Sequence, residues 1–163
     1  MDSVSHVIVV RDLSVSPWPE RRCVLTIGAY DGVHRGHQAV IAAVREQAKS
    51  LNALSVVVTF DKHPASVVRP ESAPLLLTDL EQKIELLSTT GVDAVVVVPF
   101  NEEQSTEEPQ SFVKRVLVDC LHVQHIVVGE DFHFGKNRSG NVALLRTEGA
   151  QHDFTTGPIE LLA

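Results

Sequence analysis

Short unbroken apolar runs alternate along this chain with segments whose apolar residues recur every three or four positions. Cys23-Val-Leu-Thr-Ile27 is rich in β-formers and stops at Gly28, which predicts a buried strand. From Gly36 to Leu51 the spacing changes. Val40, Ile41, Val44, Ala48 and Leu51 fall on one helical face, with Arg45, Glu46 and Lys49 opposite. Ser55-Val-Val-Val-Thr-Phe60 predicts a second strand, followed by a loop that carries His63-Pro64 and Arg69-Pro70. Thr78-Asp-Leu-Glu81 has the order of a capping box and opens a helix with the stripe Leu80, Ile84 and Leu87, for which Gly91 is a natural terminator. Asp93-Ala-Val-Val-Val-Val-Pro99 predicts a third strand. Pro109 suits the first turn of a helix with the stripe Phe112, Val113, Val116, Leu117 and Cys120, and His125-Ile-Val-Val-Gly129 predicts a fourth strand.

The order is therefore β-α-β-α-β-α-β, with strands too apolar to leave one face in water. Crossover helices on both faces provide the cover, which gives an α/β fold with a parallel sheet. Residues 1–20 read as a lead-in. The stretch from Glu130 to Leu145, glycine-rich and charged, reads as a functional loop, and Thr155 to Ala163 shows no assignable pattern. A chain of 163 residues is long enough for one domain, taken as 1–163 with its core at about 20–150.

Composition narrows the partners. An apolar share of 44% and a charged share of 21% belong to an ordinary folded chain. A net charge of -7 weighs against nucleic acid, which needs a surplus of Lys and Arg, but leaves small phosphate ligands open. No apolar run has the length of a membrane span, and Met1 to Val10 lacks the order of a signal peptide. Cys23 and Cys120 lie far apart in apolar segments and read as reduced core thiols. A cytoplasmic chain with no membrane or nucleic-acid partner is the expectation; oligomeric state is not legible.

Chemistry concentrates in Gly28-Ala-Tyr-Asp-Gly-Val-His-Arg-Gly-His37, between the first predicted strand and the first helix. Open α/β sheets bind ligands there, beyond the carboxyl ends of their strands. Gly28, Gly32 and Gly36 allow close approach of a ligand to the backbone, and the helix N-terminus offers free N–H groups and a positive dipole end to a phosphate. His34 and His37, three residues apart, can face one bound anion and donate to its oxygens. That suits nucleotidyl transfer, which needs fixed positive donors around the α-phosphate and the leaving pyrophosphate. A metal pair and a purely structural helix cap are the alternatives, although no third and fourth ligand with convincing spacing accompanies the two histidines.

Thr26 to His37 resembles the signature of the FMN adenylyltransferase module of bacterial bifunctional riboflavin kinase/FAD synthetases, within the wider His-x-Gly-His nucleotidyltransferase superfamily. Further matches follow in family order: Thr59 to Pro64, Leu77 to Leu87, Gly91-Val-Asp93, Phe112-Val113, and Val128 to Gly140. The resemblance runs from about Val24 to Leu145 and implies a Rossmann-like parallel sheet with helices on both faces. It implies AMP transfer from ATP, carried with Mg²⁺, to FMN, giving FAD and pyrophosphate. By position it assigns Gly28, Ala29, Tyr30, Asp31, Gly32, His34, Gly36 and His37 to ATP, with His34, His37 and Asp131 in the catalytic set. FMN would meet Phe60, His63, Pro64, Asp131, Phe132 and Phe134, since an isoalloxazine ring needs apolar walls; core packing is the alternative for each phenylalanine. Lys136 and Arg138 would close over phosphates or else sit on a solvated loop.

The sequence departs from the family at several points. Tyr30 stands where Phe is common, and Lys62 replaces the usual Pro before His-Pro. A Ser-Ser-Thr-x-Ile-Arg segment that helps grip the nucleotide, and the riboflavin kinase domain beyond it, are not found before Ala163. A shortened chain with weakened adenylyl transfer and no kinase activity is therefore expected. Another His-x-Gly-His nucleotidyltransferase and a flavin- or ATP-binding module without turnover are the competing expectations.

Overall fold

The computed structural model describes residues 7–28, 35–61, 80–100, 106–129, 132–135 and 139–158, with backbone alone at 35–37 and 158. In chain order, β1 (Ile8–Val10) and β2 (Cys23–Ile27) precede α1 (Arg35–Leu51), and β3 (Leu54–Phe60), α2 (Leu80–Ser88) and β4 (Ala94–Val98) follow. Helix α3 starts as one α-helical stretch, Pro109–Phe112, and widens over Val113–Cys120, where the Leu121 N–H reaches back five residues to the Val116 carbonyl at 3.0 Å. Then come β5 (Val123–Val128), β6 (His133–Phe134), β7 (Gly140–Asn141), α4 (Val142–His152) and β8 (Thr155–Pro158).

Six of these strands form one sheet in the order β1-β4-β3-β2-β5-β8, and every pairing in it is parallel. The α/β expectation is borne out. The reason the strands carry no polar alternation is visible in where their side chains go. Leu25, Val56, Val96 and Ile126 face one layer, with Val116 and Leu117 of α3 and Leu145 of α4. Val57, Val95 and Val97 face Ile41 of α1 and Ile84 and Leu87 of α2, while Val24 and Val127 meet Val44 and Ala48. Helices thus cover both faces, as strands whose apolar side chains alternate between the two faces require.

The ends of the chain are more structured than the sequence suggests. β1, inside the stretch read as a lead-in, pairs with β4, Ile8 opposite Ala94. Trp18 is buried, and its indole Nε1 donates to the Leu121 carbonyl at 2.7 Å. Arg22 adds a bond of 2.7 Å to the Val123 carbonyl. β8 extends the sheet beyond β5, Thr155 opposite His125, in a segment with no assignable pattern. The expected loop from Glu130 to Leu145 is correspondingly shorter than read, because α4 starts at Val142, capped by Asn141, whose side chain accepts from the Leu144 N–H at 2.9 Å.

Gly91 does terminate α2 as expected. Its φ of +88° belongs to the left-handed region, and the space a side chain would need is filled by the Arg45 guanidinium. Thr78, the expected cap of that helix, lies outside the described residues. Both thiols are buried and unbridged, as expected.

Candidate active site at the carboxyl edge of the sheet

Strand β2 is the switch point of the sheet. From it the chain moves through β3 to β4 on one side and then crosses to β5 and β8 on the other. Ligands of open α/β folds bind at this place. Gly28 ends β2, with its N–H donating to the Val58 carbonyl at 3.0 Å, and Arg35 opens α1. The first turn of α1 contains Gly36 and His37 and no acidic residue, and a helix N-terminus presents N–H groups and the positive end of its dipole to an anion. Ala29, Tyr30, Asp31, Gly32 and His34 lie outside the described residues, as does the His37 side chain.

Beside β2, the carboxyl end of β3 is fixed by several bonds. The Asp61 N–H donates to the Val98 carbonyl at 3.1 Å, and the Asp61 carboxylate accepts from the Phe100 N–H at 2.9 Å. Phe60 is half-buried and meets Phe100 edge to face, with ring centroids 5.6 Å apart and planes at 80°. Lys83, on α2, reaches over and donates to the Phe60 carbonyl at 2.8 Å. His63 and Pro64 lie outside the described residues.

On the other side of β2, β5 ends at Val128, and the Phe132 N–H turns back to the Gly129 carbonyl at 3.1 Å. Phe132 is half-buried and stacks on Phe134, centroids 5.5 Å apart at 18°. Phe134 itself is only 8% exposed and tilts against Phe112 of α3 at 6.0 Å. Its place is thus in the core, supporting Phe132 from behind. The ring is seated on Gly140, where a Cβ would fall 2.7 Å from it. Asp131, Lys136 and Arg138 lie outside the described residues.

Along the carboxyl edge the structure therefore brings Phe100 and Phe60, Gly28 and the start of α1, and the Phe132–Phe134 stack to the ends of adjacent strands β4, β3, β2 and β5. Sequence reading missed Phe100, Asp61 and Lys83. The signal for Lys83 was present, a cation on the stripe of Leu80, Ile84 and Leu87. Among the described residues, no group of three His, Cys, Asp or Glu side chains is placed to hold a metal ion.

Two other features carry less. A groove of about 610 Å³ between residues 13–16 and α3 is lined by Ser14, Ser111, Lys114, Arg115 and Cys120 among others. Its cations are matched within the protein, Lys114 with Asp119 at 2.6 Å and Arg115 with Glu107 at 2.8 Å. The hydrogen bond from Arg115 holds the Glu107 carboxyl below its ordinary range. On β5, His125 Nδ1 lies 2.6 Å from the Thr155 hydroxyl, and burial lowers its affinity for a proton.

The solved structures most informative about this arrangement are a macrolide-efflux protein from Streptococcus pneumoniae and a lipopolysaccharide core biosynthesis protein from Thermoplasma volcanium. The first superposes with a TM-score of 0.75 at 20% identity, over 94% of this chain and 50% of that one. The second has a TM-score of 0.55 at 19% identity, over 88% of this chain and 99% of that one. At such identities they speak for the fold alone. In sequence the chain is 45% identical over 138 residues to a bifunctional riboflavin kinase/FMN adenylyltransferase of Pseudomonas fluorescens, covering 84% of this chain and 44% of the relative. It is 37% identical over 141 residues to the protein of the same description from Escherichia coli K12, covering 86% and 45%. The chain thus spans a little under half the length of these relatives. A family model described as FAD synthetase matches residues 16–162, well beyond the stretch from Val24 to Leu145 in which the resemblance was read. With that match over nearly the whole fold, the chain belongs to the FAD synthetase family.

Proposed function

We propose that this chain is a single FMN adenylyltransferase module that transfers the AMP group of ATP to FMN. The observation that carries the reading is the family match, with its glycine- and histidine-bearing segment starting at Gly28, at the switch point of the sheet. The FMN phosphate attacks the α-phosphorus of ATP in line, the new P–O bond forms, and the α–β bridge breaks to release pyrophosphate. A phosphate monoester is largely dianionic at neutral pH, its second pKa being about 6, so no strong general base is needed. Mg²⁺ enters with ATP as part of that substrate and offsets the charge of its phosphates.

In this reading the family resemblance assigns the side-chain roles. The N–H groups of the first turn of α1, with Gly28, Ala29, Tyr30, Asp31, Gly32 and Gly36, cradle the triphosphate. His34 and His37 donate to the oxygens on which charge grows in the transition state, and Asp131 positions the reacting groups. The flavin lies between Phe60, with the adjoining His63-Pro64 loop, and the outer face of Phe132, which Phe134 supports. Lys136 and Arg138 close over phosphates. The site of action is the cytoplasm, with no nucleic-acid or membrane partner; no helix among the described residues is long and apolar enough to cross a membrane.

Incubation of the purified chain with FMN, ATP and Mg²⁺, with FAD and pyrophosphate separated by chromatography, tests the proposal beside the His37→Ala variant. FAD formed by the wild type and lost in the variant is the expected result. FMN bound without pyrophosphate release would instead identify a binding-only module, and turnover with a different acceptor another nucleotidyltransferase.

A further inference from the structure

Lys83 is out of place by every criterion of composition. It lies three residues after Leu80 and four before Leu87, on the buried stripe of α2, and is 7% exposed. Lysine is almost never buried to this extent, because a desolvated ammonium is strongly unfavourable unless acceptors surround it. Leucine or methionine would fill the stripe without that penalty. The position of the ammonium shows what it accomplishes. Its Nζ donates at 2.8 Å to the carbonyl of Phe60, the last residue of β3, and so ties the helix layer to the carboxyl edge of the sheet. The same strand end is held from the sheet side by the two bonds of Asp61, to Val98 and Phe100, and by the ring contact of Phe60 with Phe100.

We propose that Lys83 is a positioning residue for the acceptor half of the site: by holding the Phe60 carbonyl it fixes the end of β3, and so places the Phe60 ring against FMN. The inference rests on the proposed function, since it presupposes that FMN binds at this edge. In the proposed function ATP is gripped from Gly28 and the first turn of α1, whereas the Phe60 carbonyl that Lys83 holds ends β3, on the acceptor side. Loss of the ammonium should therefore act on one substrate and spare the other, which a merely structural role would not do.

The test is steady-state FAD formation by the wild type and by Lys83→Met, Lys83→Arg and Leu87→Ala, each first shown to be folded by its thermal transition. Lys83→Met keeps the length and apolar stem of the side chain. It is expected to raise KM for FMN by about tenfold or more while KM for ATP stays within about twofold and kcat within about threefold. Lys83→Arg restores the donor and recovers most of the FMN affinity. Leu87→Ala empties a fully buried position on the same helix, lowers Tm, and leaves KM for FMN within about twofold. Equal rises in both KM values, an unchanged KM for FMN in folded Lys83→Met, or a Leu87→Ala effect as large as that of Lys83→Met would overturn the inference. If Lys83→Met does not fold, Lys83→Arg decides: wild-type-like KM for FMN supports the role and a folded enzyme with lost FMN affinity refutes it. A wild type that makes FAD with variants unaffected sinks this inference alone; a wild type that neither binds FMN nor makes FAD sinks the function beneath it as well.

Discussion

Replacing Gly140 by alanine sets two effects of opposite sign against each other. The φ of Gly140 lies outside the left-handed region, so alanine fits the backbone, and the less flexible unfolded chain alone would stabilise the protein by about 0.4–1 kcal/mol. Against this, the new Cβ would fall 2.7 Å from Phe134 Cε1, whereas ordinary contact starts at 3.4 Å. The ring must retreat by about 0.7 Å. It has nowhere to go at low cost, being 8% exposed, stacked on Phe132 at 5.5 Å and tilted against Phe112 at 6.0 Å. Overpacking of this kind costs about 1–3 kcal/mol, so destabilisation wins by up to about 2.6 kcal/mol. At about 2–4 °C per kcal/mol for a chain of this size, Tm falls by up to about 10 °C. Thermal melts followed by circular dichroism measure it, and the same substitution in a Phe134→Val background closes a double-mutant cycle. With the ring gone, the penalty should vanish and the entropic gain emerge. A Tm that rises in the single variant, or a penalty that persists without the ring, would refute the steric reasoning.

Other expectations are as specific. Trp18→Phe removes the 2.7 Å bond to the Leu121 carbonyl, which keeps a weak thiol contact from Cys23 at 3.2 Å; urea unfolding should show a loss of about 1–2 kcal/mol, and an unchanged midpoint counts against it. Burial holds the folded pKa of His125 below the ordinary 6.5, so the unfolded chain takes up a proton first and stability declines as pH falls from there through the folded pKa. His125→Gln should flatten that decline, and an identical slope in both proteins would exclude His125 as its source. Burial raises the pKa of both thiols; Cys23, fully buried, should resist a thiol reagent until the protein unfolds, while Cys120, on the wall of the groove beside α3, reacts first. Simultaneous labelling would contradict the packing.

Which elements the sequence betrayed follows from how each buries its surface. β2, β3, β4 and β5 are apolar on both faces because helices cover both, so their runs stand out unbroken. β1 escaped notice because it is three residues long, with Ile8 and Val9 exposed at the rim of the sheet. β8 is Thr-Thr-Gly-Pro, a segment held by backbone pairing to β5 and tolerant of Pro158 because it is an edge. α4 buries Val142, Leu145, Glu148 and Gly149, so a carboxylate and a glycine interrupt the apolar stripe that would have announced it. At the site, the position of the glycine- and histidine-bearing segment between β2 and α1 was legible because an apolar run stops at Gly28 and a helical stripe follows from Gly36. Lys83 was not, since periodicity is judged on apolar residues and a buried cation is passed over.

The parallel topology has a consequence for how the chain is made. β1 leaves the ribosome well before its partner β4, since Ile8 pairs with Ala94, 86 positions later. At about 5–20 residues per second, roughly 4–17 s of synthesis separate the two. Trp18 waits longer still, because the carbonyl it bonds belongs to Leu121. β1 and Trp18 are therefore made long before they can dock. Until then Val10 and Trp18, buried in the folded protein, stay exposed on the nascent chain, where chaperones would bind.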